Sequence, residues 1–582
     1  MKWIVLLSIF CTAVSLSAEY PAPGVLLLDE KNLLIGNNGD GKLYRFDGKK
    51  ITDTETLEES PLRALASDWK RYFAARGDVN GEIVVIDKND LKILAVWPAG
   101  HYPSALALSH DVLYVANRFT GTVRAFSIVD GRELWCKPAG REPVALTVAQ
   151  DGSKLYVSNL LPEGAAGKER QNAAITVLGL PDGNQITAIP LADGAQGVRG
   201  LTLSPDGNYL VASHVLSRYK LPTTQLDRGW INTNVISIIT TRNDTLWATV
   251  WLDDMLRGGA NPWGIAFSPD GAKLLVAHSG TQELSVIDWE KLLQKLETQS
   301  PENRLSYLQG IRDRIPLPIN GARALAADND KAYIAGFFSD DIATVDLKTK
   351  KVSVSEPLPG SGSDIFRQGE AFFNDGRLCY QNWQSCASCH PDARVDGLNW
   401  DNLNDGIGNP KNTRSMLFTH QLPPVMTLGI RPNAEVAVRA GFRHIQFFEP
   451  SEEIATAVDE YLKQLKPVPS PFLTDDDELS ESALRGKAIF EGEANCIACH
   501  PAPLYTDLQL RDVGTATGKD AGKPVRTPTL REVWRTAPYL HDGRAATIKE
   551  AITTFNPDDL HGKTSHLTEE QIDDLATYVE SL

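Results

Sequence analysis

Apolar positions along the first part of the chain come in short alternating runs, and the runs recur. Each unit has a small residue, an apolar strand, a turn with Asp or Gly, and two further strands. The clearest copies are GLTLSPDGNYLVASH (Gly200 to His214) and GIAFSPDGAKLLVAHSGTQELSVID (Gly264 to Asp288). Weaker copies begin at Ala64, Ala105, Ala145 and Ala324, and a seventh near Gly24. Starts roughly 40 to 64 residues apart suit one four-stranded blade each, which predicts a seven-bladed propeller over residues 19–357. A solenoid would share the period, but not the short strands without a helical pattern. Two insertions interrupt the rhythm. From His214 to Asn234, the residues His214, Arg218, Tyr219, Arg228 and Trp230 suit either a binding surface or a loop packed on its own blade. From Trp289 to Ile315, the spacing of Leu292, Leu293 and Leu296 predicts a helix, structural by default, that clamps a neighbouring domain.

Beyond residue 357 the period becomes helical. Ser451 caps a segment with Ile454, Val458, Tyr461 and Leu465 on one face, stopped by Pro467. Thr568 and Gln571 form a capping box before Ile572, Leu575 and Val579. Gly369-Glu370-Ala371-Phe372-Phe373 matches Gly486-Lys487-Ala488-Ile489-Phe490, as a duplicated unit would. The expected architecture is thus multidomain: an all-β propeller, then two mainly α-helical domains at 358–468 and 469–582, joined by the stiff KPVPSP.

The chain starts with Lys2, an apolar run from Trp3 to Val14, and small residues to Ala18. This is the pattern of a secretory signal over 1–18, too short to span a bilayer, and no later stretch is a membrane span. With 582 residues the chain exceeds a single core. Its 58 basic and 74 acidic residues give −16, which argues against nucleic acid and leaves room for a basic electron-transfer partner or a neutral substrate.

Chemistry concentrates in two C-x-x-C-H motifs, Cys386-Ala-Ser-Cys389-His390 and Cys496-Ile-Ala-Cys499-His500, each followed by proline. In this motif two thiols add across the haem vinyl groups and the histidine becomes the proximal iron ligand. One copy alone would leave a redox or zinc reading open; two, behind a secretion signal, predict two covalent c-type haems and a periplasmic or secreted protein once the signal is cleaved. Cys11 falls inside the signal, and Cys136 and Cys379 remain as either a disulfide or two separate thiols. Seven of the eleven histidines lie in the last third, where iron needs ligands.

The SPDGxxLxV units resemble the YVTN and lactonase-like propellers over most of residues 19–357, a likeness that specifies fold rather than activity. Residues 359–582 resemble the di-haem cytochrome c peroxidase and MauG family. The most specific stretch is TPTLREVWRTAPYLHDGRAATIKEAI (Thr527 to Ile552), with YTDLQLRDVGT and GFRHIQFF as further counterparts. The resemblance implies that one haem reacts with peroxide while the other relays electrons, and that calcium sits between the haem domains.

The sixth ligand of each iron sets its chemistry. Where the family places a methionine at the second haem, this chain has Phe555, and no methionine follows Met426. His561 is the first candidate ligand, His566 the second, with Tyr539 and His541 upstream. For the first haem, Met416, His420, Met426 and His444 all follow His390, and Met426 is taken as its metal ligand. The resemblance places His444 and Gln446 in the distal pocket. The family's peroxide-cleaving glutamate falls at Thr456, so Glu453, with Glu452 beside it, is the substitute general acid–base. The family's FWDGR is replaced by Phe447-Phe448-Glu449-Pro450. Two readings follow. One is a haem-dependent oxidoreductase of peroxidase or MauG type, its propeller docking a protein or small-molecule substrate or a small redox protein such as a cytochrome or cupredoxin. The other is a non-catalytic electron-transfer module. A catalytic propeller ranks last, because its histidines (His101, His110, His214, His278) are scattered.

Overall fold

A computed structural model describes residues 20–582 except 30–31, 59, 223–230, 302–303, 404–405 and 407. The proposed signal, Arg228 and Trp230 lie outside the described residues.

Seven four-stranded antiparallel sheets, each built from four consecutive strands, form the propeller. The blades begin at Pro23, Leu62, Pro103, Pro143, Ala195, Pro262 and Ala322, within a few residues of the starts read from the sequence. The S-P-D-G turns work as their composition suggests. Ser204 Oγ donates to Asp206 Oδ1 (2.5 Å), Gly207 N donates to Ser204 O (2.8 Å), and Gly207 takes the left-handed φ of 73° that glycine adopts freely. The ring closes without strand exchange. Leu33, Ile35, Tyr44 and Phe46 of the first blade pack with Tyr333, Ala335 and Ile342 of the last, and Ala22 N donates to Asp340 Oδ1 (2.9 Å).

Both insertions turn toward other elements. Helix α1 (Trp289–Thr298), capped by Asp288, buries Trp289, Leu292 and Leu296 against blades five and six. Leu305 beyond it packs with Cys379 and Trp383 of the first helical domain. In blade five a long hairpin (Tyr209–Ser217 and Asn232–Thr240) carries Tyr219 and Ile231 onto Leu398 and Trp400 of that domain. Of the 214–234 insertion, the described residues Tyr219 and Ile231 pack between the domains.

The last third repeats itself in three dimensions. In the first copy α2 (Ile365–Asn374) leads to the haem motif on α3 (Cys386–Cys389), followed by α4 (Ala434–His444) and α5 (Glu452–Lys463). In the second, α6 (Glu481–Glu491) precedes the motif, with α7 (Ile548–Ile552) and α8 (Glu569–Glu580) after it. The correspondence extends to backbone detail. Bridges Val425–Arg431 and Tyr539–Ala545, positive φ at Met426 (74°) and Leu540 (71°), and N-caps Asn433 and Thr547 occupy matching places. The copies meet through reciprocal bonds, Asn412 N to His541 O and Arg526 N to Thr427 O, both 2.9 Å. Among the described residues no helix is long and apolar enough to cross a membrane.

The repeated glycine has a steric origin. Helices α2 and α5 cross so closely that a Cβ on Gly369 would lie 1.9 Å from Ala457 O; on Gly486 it would lie 1.9 Å from Asp574 O, where α6 crosses α8. Gly441, in α4, has nothing within 4 Å of its added Cβ. Gly486→Ala is therefore expected to cost about 1–3 kcal/mol through forced helix separation. Gly441→Ala should be neutral or stabilise by about 0.5–1 kcal/mol. Denaturant melts of the haem-loaded protein followed by helical circular dichroism check this; equal behaviour of the two variants overturns it.

Candidate haem sites

The two motif histidines are held alike. His390 Nδ1 donates to Arg394 O (3.0 Å), and His500 Nδ1 donates to Tyr505 O (2.9 Å). Each bond fixes the tautomer, leaving Nε2 unprotonated as a metal ligand requires. Burial pushes both imidazoles down to about 4, so both are neutral at physiological pH. The adjacent sulfurs favour an uncharged form: burial raises Cys386 to about 11 and Cys496 to about 12. A zinc site would need thiolates. A thioether carries no charge and fits.

Two guanidinium groups, the buried Arg526 and the half-buried Arg414, supply a second test of fit. Arg526 is 5% exposed, and its Nε and Nη1 have no partner. Burial, and the neighbouring Arg526 charge, push Arg414 down to about 9, while burial lowers Arg526 to about 10. Two like charges brought together out of water call for an anion. Propionates of haem groups attached at Cys386, Cys389, Cys496 and Cys499 would meet that demand.

Around the second motif, His561 presents a buried Nδ1 without a partner and lies close enough for its charge to act on His500. Its loop is anchored there: His561 N donates to Asn556 Oδ1 (2.8 Å) and Lys563 N to Ala494 O (3.0 Å). His566 instead is half-exposed beside Glu493 at 3.7 Å. Tyr539 donates its hydroxyl to Val533 O (3.2 Å). His541 stands at the domain seam, its carbonyl engaged by Asn412.

The first site departs from several expectations. His444 ends α4 exposed to solvent, and Glu453 is exposed in the first turn of α5; neither stands in a closed pocket where it would hold or cleave peroxide. Position dictates both, since the apolar stripe of each helix turns inward and carries these polar residues out. Gln446 is buried, but its Nε2 points to Cys386 Sγ at 3.7 Å, at the attachment edge. Met426 is half-buried in the turn that meets the second domain, where the other copy has Leu540. Met416 packs with Cys386, Phe373 and Phe442, as core methionines do. The buried ionisable pair is His420 Nε2 with Asp459 Oδ1 (3.0 Å), and Asp459 also accepts from Arg439 (2.7 Å). Cys136 is exposed and Cys379 buried, and both are free, so they form no disulfide.

No sequence signal marked the propeller's grip on the first motif. Gln196 Nε2 donates to Ser388 O (2.5 Å), Asn261 bonds Ser385 and Ser388 (both 2.7 Å), and Asn234 Nδ2 donates to Trp383 O (2.9 Å). Beside the motif, the half-buried Asp392 pairs with Arg118, Arg199 and Arg535, drawn from the propeller and from the second haem domain. Glu142 pairs with Arg118 (2.5 Å) and Arg535 (3.2 Å). Arg394 pairs with Glu532 (2.8 Å). Comparing CHPDAR with CHPAPL would have exposed Asp392 and Arg394 as additions peculiar to the first copy.

Comparison with known proteins places this arrangement. Residues 483–582 match the cytochrome c family model. Hydrazine synthase subunit gamma of Kuenenia stuttgartiensis is 30% identical over 275 residues, 38% of this chain and 78% of that protein. MauG of Methylorubrum extorquens is 25% identical over 243 residues, 32% of this chain and 67% of its own length. The C-terminal part of the chain belongs to the di-haem cytochrome c peroxidase and MauG family. The protein is a haem c oxidoreductase. A solved Kuenenia stuttgartiensis hydrazine synthase chain also shares the fold of 58% of this chain and 99% of itself, with a TM-score of 0.52 and 18% identity. In this family member, no group of three or more His, Cys, Asp or Glu among the described residues is arranged for a metal ion. Asp520, at the meeting of the haem domains, is occupied by Lys411 (2.8 Å) and Lys523 (3.0 Å).

Burial alone would raise Glu142, but Arg535, Arg118 and Arg141 outweigh it and bring it from 4.5 to about 2. A carboxylate depressed in the folded state stabilises above its unfolded pKa, and the contribution is lost as pH falls through the folded value. Glu142→Gln should cost about 3 kcal/mol at pH 7, and the gap to wild type should narrow between pH 4.5 and 2. Melting curves across that range test it; a gap independent of pH would assign the loss to packing alone.

Proposed function

We propose that this protein is a periplasmic di-haem oxidoreductase in which the second haem relays electrons and the first carries out the substrate chemistry, with the propeller as part of the reactive unit. The observation that carries the reading is the unequal surroundings of two otherwise matched histidines. His561 has an unpartnered, buried Nδ1 and lies close enough for its charge to act on His500. Of the first site's candidate histidines, His444 is exposed, and His420, whose Nδ1 is likewise buried and unpartnered, is held at Nε2 by Asp459. When bound, the haem at each motif supplies the redox chemistry, and a second histidine in place of methionine lowers its potential.

The remaining work falls to the chain. His390 and His500 keep their Nδ1 protons on backbone carbonyls, which raises the basicity of Nε2. Arg414 and Arg526 neutralise propionate charge. Gln384, Ser385 and Ser388, each no more than 2% exposed, exclude water from the motif beneath the propeller. Proton handling at the first site passes to His420, whose buried Nδ1 is unpartnered while Nε2 is held by Asp459. This replaces Glu453, which stands in solvent. A small redox protein supplies or removes electrons at the second motif, where Asn495, Ile497 and Ala498 are exposed.

A second reading is favoured by the pairing of likenesses. The chain is 30% identical over 275 residues to hydrazine synthase subunit gamma, and a solved hydrazine synthase chain shares the fold of 58% of it. On that reading the substrate is a small nitrogen compound rather than peroxide.

His561→Ala tests the assignment on the haem-loaded protein. Electron paramagnetic resonance should show one low-spin ferric signal converting to high-spin, with the other haem unchanged. Peroxide or carbon monoxide added to wild type should perturb only the first haem. Two low-spin haems indifferent to both, in either oxidation state, would leave an electron-transfer module instead.

A further inference from the structure

The two haem-attachment segments match in sequence but not in what touches their sulfurs. Asn232, in blade five, is fully buried. Its Oδ1 accepts from Ser217 Oγ (2.7 Å), which fixes the amide orientation. Its Nδ2 then faces the first motif, donating to Gln384 Oε1 (2.7 Å) and to Cys389 Sγ (3.4 Å). Gln384 is itself held by Ile445 O (2.9 Å). On the other sulfur, Gln446 Nε2 approaches Cys386 Sγ at 3.7 Å. Both sulfurs of the first motif therefore accept from buried amides. At the second motif, the sulfur hydrogen bond among the described residues runs the other way, from Cys496 Sγ to Ala494 O (3.9 Å). A thioether has no proton and cannot make that bond.

We propose that Asn232, assisted by Gln446, sets the reduction potential of the first haem, so that the propeller tunes the haem it covers. The inference rests on the reading of covalent haem at Cys386 and Cys389. An amide proton on a thioether sulfur withdraws electron density from the macrocycle edge and favours the ferrous state, and second-shell hydrogen bonds are among a protein's means of setting haem potential. Burial strengthens the effect, because neither water nor mobile charge screens the dipole. The amide donors act on one haem alone, and so separate the potentials of two sites that a duplication would otherwise leave alike. Asn232 is thus a tuning residue of the propeller rather than a catalytic one.

The test uses the full-length, haem-loaded protein and its Asn232→Leu and Gln446→Leu variants, in optical redox titrations that resolve the two haems. Removing one donor should lower the ferrous-to-ferric ratio of the first haem at a fixed potential by about fivefold, the equivalent of one ordinary hydrogen bond. The second haem should not move, and the double variant should shift further than either single one. An unchanged first haem in both variants, or equal shifts of both haems, overturns the proposal. Should Asn232→Leu fail to fold, Gln446→Leu decides alone by the same criterion. Mass analysis of the wild-type peptide spanning Cys386 and Cys389 separates the two levels: absence of covalent haem there would defeat the underlying reading, whereas haem present with an unmoved potential defeats the tuning.

Discussion

Asp392 binds the three parts of this molecule together. Its carboxylate takes Arg118 from blade three, Arg199 from blade five and Arg535 from the second haem domain, while its own backbone follows directly from the first motif. Burial alone would raise its pKa, but the three arginines hold it well below the usual carboxylate range. Glu142 and Glu532 return two more negative charges to the same arginines and to Arg394. Desolvating any one of these groups alone is costly, and the cost is offset only when all partners are present. The seam therefore favours one mutual placement of propeller and haem domains over any partial docking.

That placement makes unlike sites from like ones. The haem domains share helix crossings, turns and caps down to individual backbone angles, and the glycines at their crossings answer the same steric demand. Only the first copy carries the Asp392–Arg394 pair, and only its attachment helix lies beneath the propeller. The corresponding segment of the second copy leaves Ile497 39% exposed. The asymmetry thus comes from what each domain packs against, through a few substituted residues.

This explains what could be read from the sequence. Seven blades were legible because strand alternation and S-P-D-G turns are local, and the helical caps at Ser451 and Thr568 were legible for the same reason. The two C-x-x-C-H motifs were legible because each is contiguous. Glu453 and His444 were misplaced because alignment to a family gives a position but not the face of a helix, and the apolar stripes of α4 and α5 turn both outward. Asn232, Arg118 and Glu142 were invisible. They act on residues more than a hundred positions away, and buried polar side chains on propeller strands look like any others until the partner is in place.

Depth of burial also orders events in time. Gln384, Ser385 and Ser388 are almost wholly enclosed, and Cys389 lies among Tyr219, Ile231, Leu398 and Trp400. Cys389 thus sits between the hairpin of blade five and the first haem domain. In the proposed reading, thioether formation at Cys386 and Cys389 is expected before the ionic seam closes. The second motif, with exposed residues between its cysteines, carries no such requirement. The buried hydrogen bonds to the first motif then do double duty. They form only once the attachment segment has its final shape, so the free energy of closing the seam depends on that shape.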